Sequence, residues 1–254
     1  MPILASDESD PVIVSNADGA SPFFIACDHA GRVAPRSLGT LGLPRYDYDR
    51  HIAYDIGAWP VSLLLAEALD APAIGQLYSR LVIDCNRAPG VPTSIVEVSE
   101  LTPVPGNVGL SAADRDARAR EIFWPYQNRI EAMLNARADR PTVLVTMHSF
   151  TPSFKDVARP WHAGVLFNRD DRFARIILEL LRREPGLAVG ENEPYAVTDL
   201  TDYTVPVHGE KRGLPHVELE IRQDLIADET GQRQWAEIFA RLVPEAWGLF
   251  EDRT

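Results

Sequence analysis

The run Val143-Leu144-Val145-Thr146-Met147-His148-Ser149-Phe150 constrains this chain more than any other. Pro141 precedes it and Thr151-Pro152 follows it. The apolar and β-branched residues between fit a strand covered on both faces. Such strands belong to the parallel or mixed sheets of α/β proteins, whose active groups collect just beyond the strands' carboxyl ends. His148 sits at one of those ends. A second segment, Phe23-Phe24-Ile25-Ala26-Cys27-Asp28-His29-Ala30-Gly31, repeats the pattern: an apolar run, a histidine, then a glycine that permits a turn. Two imidazoles at the ends of two buried strands predict one shared site. Neutral imidazole is the commonest protein ligand of zinc, and a catalytic zinc usually takes three protein ligands and leaves one position for water.

A sheet of this kind needs a large core. With 254 residues, 45% hydrophobic and 24% charged, the chain supplies one. The expected architecture is a single α/β domain over residues 1–254, with a mixed, mostly parallel sheet flanked by helices. A net charge of -12 argues against a nucleic-acid-binding surface, because that affinity rests on clustered lysines and arginines. Two cysteines, Cys27 and Cys85, both in apolar runs, give no disulfide framework and point to a reducing cytoplasm. The acidic first ten residues do not read as a signal peptide, and no run approaches the roughly twenty apolar residues that span a bilayer.

Around the central strand the order of elements is legible. Pro11 to Val14 reads as a strand and Asn16-Ala17-Asp18-Gly19 as a turn. Ile52, Ile56, Trp59, Leu63 and Ala66 recur at helical spacing and predict a helix from about Asp49 to Leu69, with Pro60 as a kink or boundary. Leu77 to Cys85 reads as a strand, and the Pro-, Ser-, Thr- and Gly-dense stretch from Val91 to Gly109 as a long functional loop. Ser111 to Asp114 has the capping-box pattern, opening a helix that carries Ile122, Tyr126, Ile130 and Met133 on one face. Beyond His148 come a short strand at His162 to Phe167, a helix from Asp171 to Arg183, a stretch from Ala188 to Thr204 that is loop-rich around Glu191 to Tyr195, and a closing helix from Thr230 to Leu242. In His216-Val217-Glu218-Leu219-Glu220-Ile221 strict alternation puts Glu218 and Glu220 on one face of a strand.

Besides His29 and His148, a mononuclear zinc needs a third ligand. Asp47, Asp49 and His51 stand at alternate positions that share a face when extended, and Asp49 is favoured among them. Glu218 and Glu220 are the candidates for the base that takes a proton from water and returns it to a leaving amine. Asn86-Arg87, with Arg80 nearby, offers paired N–H donors for a substrate carboxylate. Nothing in the spacing of His162, His208 or His216 singles out a metal, so structural or rim positions are expected for them. Two rival readings remain: a metal-free cysteine hydrolase with Cys27 as nucleophile, and a non-catalytic small-molecule-binding protein.

Taken together, Cys27-Asp28-His29-Ala30-Gly31, Asp47 to Ala53, Ser79 to Arg87, His148-Ser149-Phe150, Asn192-Glu193-Pro194-Tyr195 and Glu220 to Leu225 resemble the N-formylglutamate amidohydrolase family. The likeness runs from about Phe23 to Ile226. It implies a zinc-peptidase (phosphorylase/hydrolase-like) fold, related to the metallocarboxypeptidases and to succinylglutamate desuccinylase. It also implies Zn2+-dependent hydrolysis of a small N-acyl amino acid, N-formyl-L-glutamate foremost, in amino-acid catabolism. By position it makes His29 and His148 metal ligands, an acidic residue of the Asp47 to His51 segment the third, and Glu220 the general base. Asn86 and Arg87 would then hold a carboxylate, with Arg87 or Arg80 polarising the scissile carbonyl.

Overall fold

The computed structural model describes residues 2–253. The chain runs β1 (Val12–Ser15), β2 (Phe23–Cys27), α1 (Ala58–Leu69), β3 (Ala73–Gln76), β4 (Val98–Ser99), β5 (Thr102–Pro103), α2 (Ala112–Arg118), α3 (Trp124–Asn135) and β6 (Val143–Phe150). It continues through β7 (Ser153–Phe154), β8 (Val157–Ala158), β9 (Ala163–Leu166), α4 (Arg172–Leu181), β10 (Val189–Glu191), β11 (His216–Arg222) and α5 (Glu229–Glu251). Seven strands form one mixed, mostly parallel sheet in the order β1-β3-β2-β6-β11-β9-β10. β4 with β5, and β7 with β8, make two small antiparallel ribbons.

β6 lies at the centre of the sheet, parallel to β2 on one side and to β11 on the other. Every residue of β2 and β6 is buried, as a strand covered on both faces requires. Alternation divides their side chains between two cores. Phe23, Ile25, Val143, Val145 and Met147 pack with residues of α1, α4 and α5, whereas Phe24, Ala26 and Leu144 pack with residues of α2 and α3. Burying this much apolar surface, at roughly 25 cal/mol per Å2, fixes the register of the central strands. It also leaves their carboxyl ends side by side.

Two expectations need correction. Leu77 to Cys85 is not a strand: β3 stops at Gln76, and the following residues cross the sheet end as turns. Their backbone groups bond to other loops instead of a ladder: Ser79 N donates to Val33 O at 2.7 Å, Arg80 N to Ala53 O at 3.1 Å and Asp84 N to Ser94 O at 2.7 Å. Leu81, Val82 and Ile83 are apolar because they lie in the core with α2 and α3 residues, which mimics a strand signal. The helix expected from Asp49 begins only at Ala58, because Gly57 turns the chain in the left-handed region with φ 78°. Elsewhere the capping box at Ser111 and Asp114 forms as predicted, and the closing helix runs on to Glu251. Among the described residues no helix is long and apolar enough to cross a membrane.

Gly31 is required by space. A Cβ built there would lie 1.8 Å from the carbonyl oxygen of Leu77, so the turn after His29 and the crossing after β3 touch backbone to backbone. We predict that Gly31→Ala destabilises the fold by about 3 kcal/mol in chemical denaturation, the upper end for overpacking a site that cannot relax.

Candidate active site

The carboxyl ends of β2 and β6 bring His29 and His148 together, with ring centroids 5.2 Å apart. Between them stands Asp55, from the turn that leads into α1. Its Oδ2 lies 3.3 Å from His29 Nδ1 and 2.9 Å from His148 Nδ1. His29, Asp55 and His148 are buried, and each offers one ligand atom within 4.8 Å of the others. Three fixed contacts aim the carboxylate: Arg80 Nη1 donates to Oδ1 at 3.1 Å, Ser149 N donates to Oδ2 at 3.3 Å, and Asp55 N donates to His29 O at 3.0 Å.

The far nitrogen of each ring also meets a carboxylate. His29 Nε2 is 2.7 Å from Asp84 Oδ1, and His148 Nε2 is 3.4 Å from Asp28 Oδ2 and 3.9 Å from Glu218 Oε2. Asp28 is held in turn by the Thr204 hydroxyl, which donates to its Oδ1 at 2.7 Å. Carboxylates behind imidazoles are the usual support of metal-ligating histidines, because they fix the ring and leave the other nitrogen for the ion.

The charges agree with a cation site. Burial disfavours the protonated rings, yet Asp84 and Asp55 draw the pKa of His29 up, and Glu218, Asp28 and Asp55 raise that of His148 well above its ordinary value. Burial likewise opposes ionisation of Asp55, but the two histidines and Arg80 hold it far below the usual carboxylate range. Five acidic side chains, those of Asp28, Asp55, Asp84, Glu218 and Glu220, thus surround two rings, and the acidic neighbours favour positive charge between them. A divalent ion would supply the same positive charge to donors already converged, so the residues fit a metal.

Glu218 and Glu220 are both buried, whereas an alternating strand more often turns its polar face to solvent. Burial pushes each carboxyl up to about 8. The parallel register sets Glu220 beside His148 and Glu218 beside Thr146, whose hydroxyl donates to Glu218 Oε2 at 3.4 Å. Glu220 Oε2 has no hydrogen-bond partner among the described residues. Both glutamates line a cleft of about 180 Å3 together with His29, Asp55, Arg80, Arg87, His148, Thr151 and Tyr195. A second chamber of about 260 Å3, which adds Thr93, Val96, Ser99, Glu100 and Phe154 to the walls, shares His51, Arg80, Arg87, Thr151 and Tyr195 with the first.

The structure moves several expected residues. Asp49 does not join the imidazoles: its side chain is 65% exposed and pairs with Arg32, in a short helical segment that ends before the chain turns inward. Asp47 accepts from Arg50 Nη1 at 2.7 Å, and His51 sits at the rim beside Glu100 at 3.3 Å. Asp55 fills the place expected of them, and its signal was an acidic residue two positions before the glycine that opens an apolar helix. Asn86 is committed to the scaffold: its Oδ1 accepts from Tyr203 N and Thr204 N, and its Nδ2 donates to Asp202. Arg80 spends its charge on Asp55 and on Asp84, 2.8 Å away. Cys27 is wholly buried in the apolar core, where burial raises its thiol far above the normal value, so it offers no thiolate to a substrate. His162, His208 and His216 each bond to scaffold groups, Ala188 N, Gln127 Oε1 and Leu214 O respectively.

A family model for N-formylglutamate amidohydrolase matches residues 21–227. The solved structure of a gene product of Agrobacterium tumefaciens is 35% identical and superposes with a TM-score of 0.95, covering 98% of this chain and 99% of that one. An N-formylglutamate amidohydrolase from Ralstonia eutropha JMP134, 19% identical, shares the fold with a TM-score of 0.70, covering 94% of this chain and 98% of that one. No curated protein matches the chain.

These placements separate Asp55 from Asp49 experimentally. Asp55→Ala is expected to abolish bound metal, measured by plasma emission on purified protein, and Asp49→Ala to leave the metal content unchanged. Asp84→Asn, which disturbs the support behind His29, should weaken metal affinity about 10- to 100-fold.

Proposed function

The chain belongs to the N-formylglutamate amidohydrolase family, and on that premise we propose that it is a zinc-dependent amidohydrolase cleaving the amide of a small N-acyl amino acid, with N-formyl-L-glutamate as the leading substrate. The observation that carries this reading is the convergence of His29 Nδ1, His148 Nδ1 and Asp55 Oδ2 beside an unpartnered glutamate on the next strand. His29, Asp55 and His148 would hold the ion. When bound, Zn2+ would supply Lewis acidity to the amide carbonyl and lower the pKa of water from 15.7 towards ~7.

The remaining work falls to this chain's own side chains. Glu220 takes a proton from the attacking water and hands it to the departing amine nitrogen, so that the C–N bond breaks with a neutral amine leaving. Its carboxyl, raised by burial, is poised for such two-way transfer near neutral pH. Glu220 begins the cycle in its ionised form, which positive charge at the neighbouring ligands would favour. Arg87 lines both chambers, and its Nη1 reaches Asp202 Oδ1 at 3.3 Å. It holds the α-carboxylate of the substrate with its remaining donors. Arg80 acts through Asp55 and Asp84, keeping both carboxylates ionised and aimed. The whole chain serves as one catalytic domain, working in the cytoplasm.

Formate release from N-formyl-L-glutamate by the purified protein, before and after chelation, tests the reading. Chelation is expected to lower kcat at least 100-fold, and added Zn2+ to restore it; full activity in a metal-free sample would overturn the proposal. Glu220→Gln should keep the metal and lose about 10^2- to 10^4-fold in kcat, the usual worth of a general base.

A further inference from the structure

Two arginines line the cleft and a third stands behind its wall, and they differ in how their charge is spent. Arg80 is paired with Asp55 and Asp84, and Arg87 with Asp202. Arg159 forms no ion pair among the described residues, although only 8% of its surface is exposed. It sits on β8's outgoing end, and three aromatic rings enclose its guanidinium: Tyr195 at 4.7 Å, Phe154 at 5.0 Å and Phe150 at 5.9 Å to the centroids. Its Nη1 donates to the hydroxyls of Tyr195, at 2.9 Å, and Thr151, at 3.1 Å. Nε and Nη2 donate to no described protein atom, which leaves one edge of the fork uncommitted.

Ring faces attract a cation, but their worth of about 0.5–2 kcal/mol does not replace the counter-charge that a largely buried guanidinium ordinarily has. An N-acylated acidic amino acid carries two carboxylates, and Arg87 can answer for one. The groups that Arg159 holds, Tyr195 and Thr151, line both chambers, which sets its guanidinium directly behind that wall. Its charge is also felt at Glu220, where it opposes the rise caused by burial. A carboxylate matches the Nε–Nη2 edge two bonds at a time, with the Tyr195 hydroxyl beside it.

We propose that Arg159, with Tyr195, binds the side-chain carboxylate of the substrate and thereby selects acidic N-acyl amino acids over neutral ones. The proposal rests on the amidohydrolase reading for its substrate but can be tested without turnover. Glutarate and its monoamide differ only in one carboxylate, and calorimetry measures the binding of each to the whole protein as purified. The parent should prefer glutarate at least tenfold. Arg159→Gln should weaken glutarate about 30-fold, within the 1.5–3 kcal/mol of a charged hydrogen bond, and leave the monoamide within twofold. Arg159→Lys, which keeps the charge but not the fork, should fall between, and Tyr195→Phe should weaken glutarate a few-fold. Those two variants decide the matter if the Gln variant fails to fold, as thermal melting would reveal.

Turnover adds a second readout. In Arg159→Gln, KM should rise by a larger factor for N-formyl-L-glutamate than for N-formyl-L-glutamine, whatever change in kcat the two substrates share. Equal losses for acidic and neutral ligands would assign Arg159 a purely structural role and overturn the proposal, as would a parent without preference for glutarate. Arg159-dependent glutarate binding without any formate release would overturn the deformylase reading and leave the carboxylate site standing.

Discussion

One carboxylate holds the site in place. Asp55 meets both imidazoles through a single oxygen and Arg80 through the other, while its backbone N–H bonds to His29 O and the neighbouring Ile56 O accepts from Ser149 Oγ. The end of β2, the end of β6, the entry to α1 and the crossing after β3 all converge on it. None of these groups is stable there alone, since an unpaired ion out of water costs several kcal/mol and breaking a buried pair typically costs about 3–5 kcal/mol. Their mutual pairing is what permits the burial. Apolar residues of similar volume would often stabilise such a core equally well or better, so the polar cluster has to be explained by chemistry.

The sheet makes that convergence possible. Parallel pairing of β2, β6 and β11 puts three carboxyl ends in a row, and the register sets Glu220 level with His148. Alternation then sends Val145 and Met147 into the core under α1, α4 and α5, while Thr146 and His148 face the other way. A one-residue slip of β6 would exchange the two sets and empty the site. Stability and function therefore depend on the same register, because the methyl groups that lock the strand also fix where its histidine points.

Much of this was written plainly in the sequence, and the gaps have physical causes. Long apolar strands ending in histidine are a local signal, so β2, β6, His29 and His148 could be found from period and punctuation. The alternation of β11 identified Glu218 and Glu220 as sharing a face, but only the three-dimensional fold decides that this face is inside. Asp55 was missed in favour of Asp49 because the choice depends on where the chain turns. Gly57 delays α1 by nine residues relative to the apolar period, and the segment before it carries Asp49 outward to Arg32. Leu77 to Cys85 deceived for a related reason: apolar residues buried in a crossing look like those buried in a strand. Arg159 carried no sequence signal, since its meaning lies in the absence of a counter-charge around it, and that is a property of the fold.

The two glutamates show why partners decide roles where pKa values do not. Burial raises both to about 8, and both line the cleft. Glu218, however, accepts from Thr146, lies on the Nε2 side of His148, and has Asp202, Glu220 and Asp28 as its acidic neighbours. Those contacts belong to the support behind the ring. Glu220 leaves an oxygen unbonded and, beside His148, feels Asp55, Arg80 and Arg159, of which Asp55 bonds the Nδ1 of His148. A proton carrier needs a free oxygen on the side where the reacting atoms sit, and a supporting carboxylate needs the opposite. Of two residues on one strand, Glu220 is therefore the better placed for the proposed proton transfer.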